Sequence, residues 1–114
     1  MSSKRKGRRV PHEVGSRNVY ADLGLPDADE MLIKAQLVAN IASIIEENGY
    51  TQTKAAAILG LTQPKLSRLL RGQFRGFSER KLMDCLTRLG RDVQIVIRNA
   101  VGRRAQGSLS VVSL

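Results

Sequence analysis

The sequence is poor in the residues from which most active sites are made. Its 114 residues hold one cysteine, one histidine, three prolines and no tryptophan, and aromatics make up 4%. A single cysteine, Cys85, excludes an intrachain disulfide and a four-cysteine zinc site. It falls on an apolar helical face and reads as a small core residue. His12 lies in a polar stretch with no partner nearby, and Ser67 has no base beside it. No glycine-rich phosphate loop and no metal-ligand spacing occurs. The expectation is a protein that is not an enzyme and takes no cofactor or metal. No run of about 18 apolar residues is present, which excludes a membrane-spanning helix. No leader-like apolar segment follows the basic start, so a cytoplasmic protein is expected. With so few aromatics the core must come from Leu, Ile, Val and Ala, which suits helices. The length predicts one domain.

Charge is present in excess and unevenly placed. Lys and Arg number 19 against 10 Asp and Glu, a net charge of +9. Residues 1–21 carry six basic side chains (Lys4, Arg5, Lys6, Arg8, Arg9, Arg17) against Glu13 alone. Residues 22–50 invert this, with six acids against Lys34. Residues 51–81 carry seven basic side chains against Glu79. Positive charge concentrated on a tail and one internal segment is the footprint of a polyanion binder, although a solvated basic surface would look the same.

Residues 1–21 read as a flexible basic arm, polar and without apolar period. Within it, 18–21 could form a short strand or pack on the core. Asp27 with Glu30 three residues on has the form of a capping box, and opens a helix from about Ala28 to Asn48 that stops at Gly49. Gln36, Asn40, Ser43 and Glu47 form its narrow polar stripe. Leu32, Ile33, Leu37, Val38, Ile41, Ile44 and Ile45 fill an arc wider than one small core needs. Such an arc is met either by a partner chain or by other helices wrapped around it.

Three short helices follow. Thr51 caps a helix from about Gln52 to Leu59, ended by Gly60. Thr62 caps a second, with Pro64 in its first turn, running to Arg71 and ended by Gly72. Ser78 caps a third from about Glu79 to Leu89, ended by Gly90, with Leu82, Cys85, Leu86 and Leu89 inward. After Gly90 the period changes from helical to alternating. Residues 91–98 read as a β-strand with Val93, Ile95 and Ile97 on one face. A lone strand needs a partner, and the same strand of a second copy would supply one across a two-fold axis. Residues 99–114 read as a flexible tail, with 109–114 a weak candidate edge strand.

Residues 52–70 have the spacing of a helix-turn-helix. Two helices crossing steeply need a small residue where they meet, and Ala56 supplies it. The turn needs a residue tolerant of left-handed geometry, and Gly60 supplies that. Leu66 holds the second helix against the first. With Leu66, Leu69 and Leu70 inward, Gln63, Pro64, Lys65, Ser67, Arg68 and Arg71 face outward. The N-terminal part of such a second helix enters the major groove of DNA. Gln63 can bond bidentately to adenine and Arg68 to guanine, while Pro64 can touch a thymine methyl. Lys65 can reach a base or a phosphate. Gln52 and Lys54, at a helix start, suit backbone phosphates, as do Arg71 and Arg75 beyond the second helix. RNA or general nucleic-acid binding through the arm is the weaker alternative. Single-strand binders need aromatic platforms, and only Tyr20, Tyr50, Phe74 and Phe77 are available.

On these residues the chain resembles the XRE-type (lambda Cro/repressor-like) helix-turn-helix proteins, and within them the HigA-like antitoxin group. The resemblance is carried by Ala21-Asp22-Leu23-Gly24-Leu25-Pro26, Thr51-Gln52-Thr53-Lys54-Ala55-Ala56 and Leu66-Ser67-Arg68-Leu69-Leu70-Arg71-Gly72. Phe74-Arg75-Gly76-Phe77-Ser78 and Leu89-Gly90-Arg91-Asp92-Val93-Gln94-Ile95-Val96-Ile97 extend it. It covers about two thirds of the chain, residues 22–98. It implies an all-α, lambda-repressor-like bundle with a short C-terminal strand pairing in a homodimer. It further implies a repressor that binds an inverted-repeat operator in double-stranded DNA. For antitoxins it implies a RelE-like toxin as protein partner. A stand-alone repressor without a toxin fits the same residues. The basic arm and the Ser-rich tail depart from the family's compact core.

Overall fold

The computed structural model of the protein describes residues 21, 23–24, 27–102 and 106–114. Most of the basic arm, including 18–20, lies outside the described residues. Among the described residues four full helices are present: α1 (Ala28–Glu47), α2 (Gln52–Leu59), α3 (Gln63–Leu70) and α4 (Glu79–Arg88). No helix is long and apolar enough to cross a membrane among the described residues.

Helix ends follow local chemistry. Thr51, Thr62 and Ser78 each adopt extended backbone and accept a hydrogen bond from the amide three residues on, those of Lys54, Lys65 and Lys81. Each helix stops at a glycine with positive φ, at positions 49, 60, 72 and 90. At Gly60 (φ 70°) its amide donates to the Ala57 carbonyl and the Leu61 amide to that of Ala56, at 3.3 and 2.9 Å. This paired arrangement satisfies carbonyls that the helix end leaves open and turns the chain sharply. The first helix departs from expectation at its start. Asp27 occupies the cap position, but its side chain makes no capping bond. The expected capping box is absent: Asp27 turns to Arg75 and Glu30 pairs with Lys34.

The wide apolar arc of α1 is used within the chain. Ile33, Leu37, Val38, Ile41, Ile44 and Ile45 are all buried, Met31 is buried where Leu32 was expected and Leu32 is only half-buried, and α1 packs chiefly on α4. Leu59, Leu66, Leu69, Leu82 and Cys85 complete the centre with no exposed surface. Phe74 anchors the α3–α4 loop in the same core.

Beyond α4 the structure differs from the expected strand. Residues 91–98 carry no regular secondary structure, and the described residues hold no strand beyond an isolated bridge at Val112. Val93 packs partly on the core, whereas Ile95 and Ile97 are 79% and 91% exposed. The expected common face is therefore not formed in the single chain. A β-ladder needs a second strand, and none lies alongside among the described residues. The last residues of the chain make contacts with α1. The Val111 amide donates to Gln36 Oε1 at 3.3 Å, Ser113 Oγ bonds Asn40 Oδ1, and Val111 packs on the core. Arg91 pairs with Glu47 at 3.1 Å. The polar stripe of α1 thus receives the chain that returns after α4.

Candidate nucleic-acid interface

The α2–α3 unit sets the site. Ala56 is buried where the helices approach, and its carbonyl takes the Leu61 amide. The turn leads into Thr62, whose hydroxyl fixes the first turn of α3, and Pro64 occupies that turn without sacrificing a needed amide bond. Leu66 and Leu69 are fully buried and Leu70 partly so, which locks the rotation of α3 about its axis. The opposite face is therefore presented as a unit. Gln63, Pro64, Lys65, Arg68 and Arg71 are all exposed.

The remaining expected residues divide by what holds them. Gln52 and Lys54 are exposed at the start of α2. The Lys54 ammonium lies 5.4 Å from the centre of the Tyr50 ring, a cation–π contact that steadies it. Ser67 is half-buried, and its hydroxyl accepts a bond from Arg71 Nη1 at 3.0 Å, so Ser67 orients Arg71 along the helix. Arg75 is exposed but paired with Asp27.

Two lysines outside the expected set adjoin this surface, one lining it and one buried beneath it. Lys81 joins Lys65, Leu61, Gly76, Phe77 and Ser78 around an open depression of about 270 Å³ beside the start of α3. Lys34, 4% exposed, reaches from α1 to the Arg75 carbonyl at 3.0 Å. Lys34 had a legible signal, as a lone cation between Ile33 and Leu37 on the buried side of α1. Cys85 sits at the base of α4. Burial raises its thiol pKa, Lys81 lowers it by less, and the smaller effects of Asp84 (raising) and Arg88 (lowering) oppose each other.

The bent helix pair, with one locked and one open face, defines the helix-turn-helix class. The family model for the helix-turn-helix domain matches residues 19–98. A solved chain designated an XRE-family transcriptional regulator is 40% identical. That match covers 78% of this chain and 100% of the solved one, with a TM-score of 0.73. No curated protein matches the chain. The protein belongs to the helix-turn-helix domain family, in its XRE type.

Proposed function

We propose that the protein is a sequence-specific transcriptional repressor that binds an inverted repeat in duplex DNA as a homodimer. The observation that carries this reading is the open face of α3. Gln63, Lys65 and Arg68 lie in water while Leu66 and Leu69 are sealed beneath them. Gln63 and Arg68 read base edges, Pro64 contacts a thymine methyl, and Lys65 contacts a base or phosphate. Gln52, Lys54, Arg71 and Arg75 bind the backbone, with Ser67 holding Arg71. A homodimer is supported by the exposed apolar side chains of Ile95 and Ile97 on a segment with no regular secondary structure, with Val93 at its base. Pairing of that segment between two copies would create the strand that a single chain does not form, and would space two α3 helices for half-sites about one helical turn apart.

The antitoxin role rests on the family resemblance. It is tested by a small RelE-like reading frame beside this one and by co-purification of the two products. A repressor acting alone is the outcome if neither is found.

Selection on random duplexes, followed by the mass of the complex, tests the main reading. The expected result is one enriched inverted repeat bound by two chains. The repressor reading fails if no sequence is enriched.

A further inference from the structure

Two acids at the start of α1 leave the roles their spacing suggests. Asp27 forgoes the capping bond, with φ −111° and ψ 37° in place of the extended backbone of the three capping residues downstream. Its Oδ2 instead meets Arg75 Nη1, across 48 residues of sequence. Its Oδ1 is shielded from solvent and has no hydrogen-bond partner among the described residues. The Asp27 carboxylate therefore depends on Arg75 for its charge partner.

The pair is not needed to fasten the loop. Phe74 anchors the loop in the core, and Lys34, itself neutralised by Glu30 at 2.9 Å, holds the Arg75 carbonyl from beneath. The Arg75 backbone is thus fixed independently of its guanidinium. Exposed ion pairs also contribute little to stability. What the pair does change is the availability of Arg75. Gly76, the next residue in the chain, lines the depression shared with Lys65 of α3, so the Arg75 backbone lies beside the α3 face.

We propose that Asp27 is an internal stand-in for a DNA phosphate, which holds the Arg75 guanidinium and tempers the protein's sequence-independent grip on duplex DNA. A carboxylate and a phosphate offer a guanidinium the same two-oxygen acceptor, so they compete for one donor. DNA must displace Asp27 to gain the Arg75 contact. Weak backbone affinity keeps a regulator mobile on non-target DNA, where phosphate contacts supply the binding. This inference rests on the DNA-binding reading.

The test is a double-mutant cycle on a random-sequence duplex, which needs no knowledge of the operator. Affinities of wild type, D27N, R75A and D27N/R75A are measured across a salt series. D27N is expected to tighten binding roughly two- to fivefold, the range an exposed ion pair spans. It should steepen the log–log salt slope by at most about 0.9, the share of one phosphate contact that Asp27 withholds in the wild type. Both gains should vanish when Arg75 is absent. A general loss of negative charge near DNA would instead survive in the R75A background, and that result overturns the proposal, as does an unchanged affinity for D27N. Thermal melts accompany every variant, and D27S, which keeps a capping oxygen, is run beside D27N. If both unfold, the pair is a structural staple and the proposal is overturned. If wild type binds no duplex at any salt, the DNA-binding reading itself fails, a result distinct from a failed cycle.

Discussion

At the scale of single residues, contacts to bases and contacts to phosphates should separate cleanly. Arg68→Ala is expected to cost about 1–3 kcal/mol on the selected duplex and to relax preference at one base pair. Arg71→Ala should weaken all duplexes alike and reduce the salt slope by about 0.9. Binding titrations on selected and random duplexes check both, and equal losses for Arg68→Ala on the two would remove its base-reading role. Cys85 should react slowly with alkylating reagents near pH 8. Its pKa is raised by burial, so less thiolate exists at a given pH than for an open cysteine. Mass spectrometry of native and denatured protein measures the difference, and equal rates would show that the α4 face opens freely. Most of the α3 surface was legible because helical spacing and three fixed leucines determine which side chains point outward. The Asp27–Arg75 pair was not, because no local pattern joins residues 48 positions apart.

At the scale of elements, the α2–α3 turn concentrates the local determinants. Thr62→Ala removes the bond to the Lys65 amide and should lower stability by about 1 kcal/mol. Gly60→Ala places a side chain at φ 70°, at a cost of roughly 1–2 kcal/mol. An added Cβ would also stand 3.2 Å from Arg88 Nη1, but that flexible tip can move away, so the backbone conformation dominates the cost. Denaturant melts of the two variants check these values, and a neutral Gly60→Ala would mean that the turn relaxes. Caps and stops were readable because each is decided within four or five residues: Thr51, Thr62 and Ser78 behave as their sequence predicts. The capping box at Asp27 failed because a short-range rule competed with a distant cation. The strand at 91–98 failed in the single chain for a related reason. Alternating Val93, Ile95 and Ile97 record a capacity to pair, whereas pairing itself depends on a second backbone.

At the scale of the whole molecule, charge and the returning tail make separate predictions. If about six phosphates are contacted, the salt slope should lie near −5. The end of the chain seals α1, since Gln36 is only 3% exposed and receives the Val111 amide. Deleting residues 109–114 should lower stability by about 1–2 kcal/mol, from the lost hydrogen bonds and the uncovered apolar surface around Val111. The deletion should leave α3 and its duplex preference intact. A melt unchanged by the deletion would mean that the tail does not rest on α1 in solution. Composition could not reveal this contact, because Gln36 and Asn40 have the spacing of an ordinary solvent-facing stripe.

The two rods that form the recognition unit are eight residues each. Peptides so short are largely coil in water. Excised from the chain, neither would keep its shape, so the surface offered to a duplex exists only while the surrounding core holds. Occupancy and folding are then thermodynamically linked: a duplex present at a hundred times its dissociation constant should protect the native state by about 2.7 kcal/mol against heat or protease. A core substitution outside α3 itself, such as Leu82→Ala, would reduce that occupancy without altering which sequence is preferred.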